Sequence, residues 1–344
     1  ASPVISAFPS IFIPKKTGKC GTDFGDNESM DFPEARTLIS SLQGNVEAVL
    51  LGKREAVELA LASFIAGGHI LLDDIPGTGK TTLARAIAAS ISGTFRRVQF
   101  TSDLLPQDVI GVHVFDADKR NFTFAPGPIF ANIVLADEIN RSNPRAQSAL
   151  LEGMSERQVT VDNRTYPLPD PFLVIATQNP FDQHGTYPLP ESQLDRFNLR
   201  LRLSYPDRDS ELRLIREYNM FTSPNGIPPV LSPEQARECR QLLNRVAVRE
   251  SIVSYIHRIV EATRNHPAVR LGASPRGAIG LKNTSQALAL LSGRDHVTPG
   301  DIKRTAQAVL CHRVFMKGFP GTETAAEAAS AVLSEILETV PAPL

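Results

Sequence analysis

Asp74-Ile75-Pro76-Gly77-Thr78-Gly79-Lys80-Thr81 stands between a short apolar run, His69 to Leu72, and a helical pattern with Leu83, Ala86, Ile87 and Ile91 on one face. Strand, glycine-bearing turn and helix in that order make a phosphate-binding loop. Glycines let backbone N–H groups curl around an anion, and the helix offers its positive N-terminus. A lysine then reaches the β and γ oxygens while a hydroxyl holds Mg2+. On this reading Pro76, Gly77, Thr78, Gly79, Lys80, Thr81 and Thr82 bind nucleotide, and Thr81 serves the metal. Asp74 takes the place of the usual first glycine, and aspartate tolerates tight turns better than most residues.

Outward from this loop the texture repeats. Arg97 to Phe100, Ile133 to Ala136 and Phe172 to Ala176 are short apolar runs alternating with helical patterns, as parallel strands covered on both faces read. The run Ile133-Val134-Leu135-Ala136 ends in Asp137-Glu138, and ligands of open parallel sheets gather at the carboxyl ends of strands. Asp137 is placed for the Mg2+ water shell, and Glu138 to orient or deprotonate the water attacking a γ-phosphate. Asn179, closing Ala176-Thr177-Gln178-Asn179, offers a neutral amide to that water and to the phosphate. Arg196 in Leu194-Asp195-Arg196-Phe197 and Arg276 in Ser274-Pro275-Arg276 are candidates for neutralising transition-state charge.

Two stretches interrupt the alternation. Val112 to Ala125 and Gln158 to Leu168 each have two apolar edges around a polar tip and predict β-hairpins inserted in the α/β frame. Phe122 and Phe124 suit the packing of the first hairpin. Its tip sets Lys119 and Arg120 against Asp116 and Asp118, and the second tip sets Arg164 against Asp162. That near-cancellation disfavours nucleic acid as a partner, as does the lack of tryptophan in a chain with only 6% aromatic residues.

Residues 1 to about 32 read as an irregular arm, punctuated by Pro3, Pro9, Pro14, Gly18, Gly21 and Gly25. A helical pattern begins at Asp31-Phe32-Pro33, and a second helix covers Lys53 to Ala66. After Tyr205-Pro206 the strand signal ends. Helices are expected over Asp207 to Tyr218, Ser232 to Val246, Arg249 to Asn265, Ser274 to Leu291, Thr298 to Arg313 and Thr324 to Thr339. Several are opened by Ser-Pro or Thr-Pro caps. The expected organisation is an arm (1–32), an α/β nucleotide-binding core (33–205) and an all-helical second domain (206–344).

Composition narrows the function. With 344 residues, 42% of them hydrophobic, the chain can bury sizeable cores, and a net charge of −1 argues against global electrostatic binding of nucleic acid or an anionic membrane. Cys20, Cys239 and Cys311 are odd in number and widely spaced, which supports neither a disulfide framework nor a zinc site. With no long apolar run and no signal-peptide pattern at the start, a cytoplasmic chain without a membrane span is expected.

Several motifs resemble the MoxR family of AAA+ ATPases. They are Gly127-Pro128-Ile129-Phe130-Ala131-Asn132, Asp137-Glu138-Ile139-Asn140-Arg141, Ala176-Thr177-Gln178-Asn179-Pro180, Gly185-Thr186-Tyr187-Pro188-Leu189-Pro190-Glu191 and Gln193-Leu194-Asp195-Arg196-Phe197. The similarity runs from about residue 37 to 313, and Asp74-Ile75-Pro76 fits a form of the loop seen in that family. Ser142-Asn143 departs from the small-Pro pair usual there.

The resemblance implies an AAA+ αβα core with inserted hairpins followed by a helical lid, and a Mg2+-dependent ATPase. Lys80 and Thr81 would be Walker A, Asp137 and Glu138 Walker B, Asn179 sensor 1, Arg276 sensor 2, and Arg196 an arginine finger acting on a neighbouring subunit's ATP. Gly52-Lys53 would lie near adenine, and the hairpins would face a ring pore or partner. The implied assembly is a homo-oligomeric ring, six-membered, that remodels a protein client, often with a von Willebrand factor A domain protein. A DNA-linked motor and a non-hydrolysing ATP-bound module are the alternatives.

Overall fold

The computed structural model describes residues 30–75, 77–118, 120–178, 186–221, 226–318 and 323–343. All but the last three residues of the expected arm lie outside them. Two helices open the described chain, α1 (Phe32–Val49) and α2 (Arg54–Ile65). The Asp31 side chain caps α1 by accepting from the Glu34 N–H at 2.8 Å, with Pro33 in the first turn.

The core then runs β1 (Ile70–Asp73), α3 (Lys80–Ser90), β2 (Phe95–Gln99), α4 (Pro106–Ile110), β3 (Gly111–Asp116) and β4 (Asn121–Pro126). It continues through β5 (Ile133–Asp137), α5 (Pro144–Glu156), β6 (Gln158–Val161), β7 (Arg164–Pro167), β8 (Leu173–Gln178), α6 (Glu191–Leu194) and β9 (Leu199–Leu201). Strands β2-β5-β8-β1-β9 form one five-stranded sheet, parallel throughout.

Side chains alternate between its two faces. Ile70, Leu72, Ile133, Leu135, Leu173 and Ile175 join the apolar cluster of α1, α2 and α3. Leu71, Val134, Ala136, Val174 and Ala176 join a second cluster with Leu150, Leu151 and Met154 of α5. Burial on both sides explains why these strands read as unbroken apolar runs.

Both inserts are antiparallel hairpins, as expected: β3 pairs with β4 and β6 with β7. The second turns through Asp162 and Asn163, both at positive φ (47° and 66°), the geometry of a tight two-residue hairpin turn. Phe124 stacks on Tyr166 with ring centroids 4.1 Å apart. Phe122, expected to pack, is instead 61% exposed and meets only Phe115 of the opposite strand edge-on among the ring contacts of the described residues.

The remainder is α7 (Arg208–Phe221), α8 (Pro233–Leu242), α9 (Glu250–Asn265), β10 (Val269–Leu271), α10 (Pro275–Leu291), α11 (Pro299–Leu310), β11 (Phe315–Met316) and α12 (Glu323–Thr339). Ser232, Ser274 and Thr298 cap their helices as expected. Two corrections apply. This part is helical but not all-helical, because β10 and β11 pair as an antiparallel ribbon; strands of three and two residues are too short to show a period. The expected helices ending at Val246 and Arg313 stop at Leu242 and Leu310, and each continues as a 3-10 turn, Leu243–Arg245 and Cys311–Arg313. Among the described residues no helix is long and apolar enough to cross a membrane.

His69, just before β1, is a buried polar joint. Its Nδ1 accepts from the Val174 N–H at 3.0 Å, and its Nε2 donates to the Met154 carbonyl at 3.1 Å. Burial pushes its pKa down to about 4, against an upward pull from the Met154 carbonyl. The fold thus favours the neutral ring. Its stabilisation is complete above the unfolded value near 6.5 and is lost as pH falls toward 4. By linkage this amounts to about 2 kcal/mol by pH 5. Denaturant titrations at pH 7.5 and 5 should show that loss in the wild type and a shallower one in His69→Asn; equal slopes would remove His69 from this role.

Candidate active site

At the carboxyl ends of β1, β2, β5 and β8 lies a cleft of about 400 Å3. It brings together most of the residues expected from sequence. Gly77, Gly79, Lys80, Thr81 and Thr82 line one side, and Asp137 and Glu138 the other. Pro76 and Asn179 lie outside the described residues. Thr78, at the centre of the loop, is buried and donates its hydroxyl to the Ile75 carbonyl at 3.2 Å.

Two glycines set the backbone of the loop. Gly77 and Gly79 have φ of 84° and 98°, a left-handed region costly for any residue with a Cβ, and a Cβ on Gly79 would lie 2.6 Å from Leu50. Helix α3 has no side-chain cap and no acidic residue in its first turn, so its N-terminal amides are left for an anion. Lys80 Nζ folds back onto the Asp74 and Ile75 carbonyls at 2.8 and 3.1 Å, neutral acceptors that phosphate oxygens can replace.

Asp74 does more than tolerate the turn. Its Oδ2 accepts from the Leu203 and Ser204 N–H groups at 2.7 and 2.9 Å, while Oδ1 accepts from Ile75 N–H at 2.8 Å. The carboxylate therefore ties the loop to the segment between β9 and α7. Lys53 Nζ donates to the Ser204 carbonyl of the same segment at 2.9 Å. Burial pulls the Lys53 pKa down, and Asp74 and Asp207 oppose this. Gly52, at φ 69°, packs so closely that a Cβ would lie 2.6 Å from Asp207 Oδ2. The Gly52-Lys53 pair thus sits where the chain leaves the sheet for α7.

Across the cleft, Thr177 organises the acid pair. Its hydroxyl donates to Asp137 Oδ1 at 2.6 Å and accepts the Glu138 N–H at 2.8 Å. Arg97 of β2 binds the other Asp137 oxygen, with Nε at 3.1 Å. Glu138 adopts the left-handed conformation (φ 57°, ψ 49°); Gln99 donates to its Oε2 at 2.9 Å and Arg141 approaches the same oxygen at 3.3 Å. Arg97, Gln99 and Thr177 were missed in the sequence. For Arg97 and Gln99 the available signal was polar side chains at alternate positions of a stretch otherwise read as apolar, and for Thr177 a hydroxyl directly after an apolar run.

Thr81 and Asp137 bring a hydroxyl and a carboxylate to one cleft beside the loop. Hard oxygen donors of this kind suit Mg2+, which keeps several waters and takes few protein ligands.

Arg196 and Arg276 are not among the residues lining this cleft. Arg196 donates to the Leu151 carbonyl at 2.7 Å and to Ser155 Oγ at 3.0 Å on α5. Arg276 is exposed in the first turn of α10.

Residues 69–199 match the ATPase family associated with various cellular activities (AAA), and residues 261–336 match the AAA lid domain. Chaperone MoxR1 of Mycobacterium tuberculosis is 39% identical over 79% of this chain and 74% of its own length. The MoxR protein of Methylorubrum extorquens is 30% identical over 90% and 96%. The chain belongs to the MoxR family of AAA+ ATPases. YeaC, an uncharacterised protein of Bacillus subtilis, is 46% identical over 89% of this chain and 95% of its own. A crystal structure from Cytophaga hutchinsonii, of a protein termed a candidate ATPase, superposes with a TM-score of 0.83 at 39% identity, over 91% and 97% of the two chains.

In this MoxR-family loop the role of Asp74 is open to measurement. Asp74→Gly restores the residue such loops usually carry but leaves the buried Leu203 N–H without its acceptor. A loss of about 1–3 kcal/mol in chemical denaturation is expected. An unchanged midpoint would show that the tie is dispensable.

Proposed function

We propose that this chain hydrolyses Mg-ATP at a seam between two copies of itself and uses the cycle to remodel a protein client in the cytoplasm. The observation that carries this reading is a division of parts: Lys80, Thr81, Asp137 and Glu138 share one cleft, while Arg196 and Arg276 lie outside it. A pocket whose lining arginine, Arg97, is spent on Asp137, and which includes neither Arg196 nor Arg276, fits a site completed by a neighbour. In this reading 33–205 is the nucleotide-binding core and 206–344 the lid, and copies join head to tail in a six-membered ring.

The residues then act in sequence. Loop amides and the α3 N-terminus take the phosphates, and Lys80 exchanges the Asp74 and Ile75 carbonyls for β and γ oxygens. Thr81 and Asp137 would hold Mg2+, which would supply positive charge against the phosphates. Glu138, held at Oε2 by Gln99 and Arg141, would orient the attacking water and take its proton, with Asn179 proposed as sensor 1. Arg196 leaves Leu151 and Ser155 to meet the charge that develops on the neighbour's γ-phosphate.

The protein-client half of the proposal rests on the chaperone naming of a relative and on the first hairpin. Phe115 and Phe122, 55% and 61% exposed, present apolar rather than cationic surface there, which suits a polypeptide better than nucleic acid. A von Willebrand factor A domain partner is proposed from the family resemblance. Free thiols at Cys239 and Cys311 suit a reducing compartment.

Glu138→Gln is expected to bind ATP and barely turn it over. Arg196→Ala should keep ATP affinity and lose about 10³- to 10⁵-fold in kcat, and wild-type turnover per protomer should fall on dilution. Dilute, separated protomers that hydrolyse ATP at the concentrated rate would refute the seam.

A further inference from the structure

Asp195, the residue before Arg196, stands where the core meets the helical part. Its two carboxylate oxygens accept from Ser274 Oγ at 2.9 and 3.0 Å. Ser274 is the N-cap of α10, its Oγ accepting from the Gly277 N–H at 3.2 Å, and Arg276 lies in the turn so capped.

The same carboxylate accepts from Arg313 Nε at 2.8 Å. Arg313, in the 3-10 turn after α11, is only 3% exposed and spends its remaining N–H groups largely on the backbone around Arg196. It reaches the carbonyls of Asp195 at 3.1 Å, Phe197 at 2.6 Å and Asn198 at 3.1 Å. Its stem runs so close under α10 that a Cβ on Gly277 would lie 2.9 Å from Arg313 Cδ. Burial pulls the Arg313 pKa down and the Asp195 carboxylate holds it up, so the guanidinium depends on that partner. Outside the cluster, Arg270 of β10 pairs with Glu191 of α6.

We infer that Asp195, through Ser274 and Arg313, is a positioning residue that locks Arg196 to the lid, so that the lid of one copy sets the arginine offered to the next copy's nucleotide. Backbone on both sides of Arg196 is held by a lid guanidinium, and its neighbouring carboxylate by a lid helix cap. A lid shift therefore carries Arg196 with it. This rests on the reading of Arg196 as a finger acting across a seam.

The test uses mixed assemblies of full-length chains. Asp195→Asn should assemble like wild type by sedimentation and bind ATP with unchanged affinity, yet lose about 10- to 100-fold in kcat, the scale of a misplacement near one ångström. Adding Lys80→Ala protomers, which lack a working site but carry an intact Arg196, should raise turnover per intact Lys80 site several-fold above that of Asp195→Asn alone. The double variant Asp195→Asn/Arg196→Ala should be no slower than Arg196→Ala alone. Ser274→Ala, which spares the Asp195–Arg313 pair, should show a smaller loss with the same rescue, and serves if Asp195→Asn does not fold.

Loss of ATP affinity, absence of rescue, unchanged kcat, or a further loss in the Arg196→Ala background would overturn the inference. The seam reading fails separately, if Arg196→Ala itself is unimpaired or is not rescued by Lys80→Ala protomers.

Discussion

Burial of both faces of the central strands is the constraint on which the site depends. β1, β5 and β8 can carry no polar side chain along their length without an unpaired group in the core, so polarity begins only where they emerge. The register aligns those exits. Gln99 lies opposite Asp137, Ala136 opposite Ala176, and Leu72 opposite Thr177. An amide, a carboxylate and a hydroxyl therefore stand in a row along one edge, and the loop after Asp73 rises beside them.

Two adjacent carboxylates at such an edge would repel one another, and Glu138 bears the added cost of a left-handed backbone, of order 1–2 kcal/mol for a residue with a Cβ. Thr177 offsets both. One hydroxyl satisfies the Glu138 N–H, which fixes the turn, and donates to Asp137, which fixes the carboxylate. Arg97 on the Asp137 side and Arg141 on the Glu138 side spread positive charge over the pair. Each acid is thereby held by partners of its own, Asp137 by Thr177 and Arg97 and Glu138 by Gln99 and Arg141.

Much of this was legible because the decisive signals are local. A glycine-bearing turn between strand and helix, and an acid pair ending an apolar run, need no tertiary knowledge. What escaped depends on partners distant in sequence. Asp74 looked like a substitution for glycine, and only the fold supplies the Leu203 and Ser204 N–H groups that make it a tie. Arg97 and Gln99 fall in a stretch read as an apolar run, and only the register sets them against β5. β9 is three residues long and was passed over, although it closes the sheet beside β1. The helix α5 was not singled out in the sequence. Asn143, a departure from the usual family pattern, is its N-cap, accepting from the Arg145 and Ala146 N–H groups at 3.1 and 3.0 Å.

The apolar core does not stop at the edge of the nucleotide-binding part. One cluster runs from Ile70 and Leu72 through Val57 and Leu61 of α2 to Leu281 and Leu288 of α10 and Ile302 of α11. Opening a seam through it would expose buried hydrocarbon at about 25 cal/mol per Å2, so wholesale separation of lid from core is disfavoured. Small shifts are cheaper where the contacts between the parts are polar and can be exchanged. Asn198 donates to both Ser63 of α2 and Thr284 of α10, at 3.1 and 2.9 Å, and His312 bonds the Phe197 carbonyl at 2.9 Å. These joints cluster on the stretch from Glu191 to Asn198. Polar joints also link Asp170 to Arg240 and Glu58 to Arg304, but the stretch that carries Arg196 holds the densest set, with Asp195, Phe197 and Asn198 all bonded to the lid.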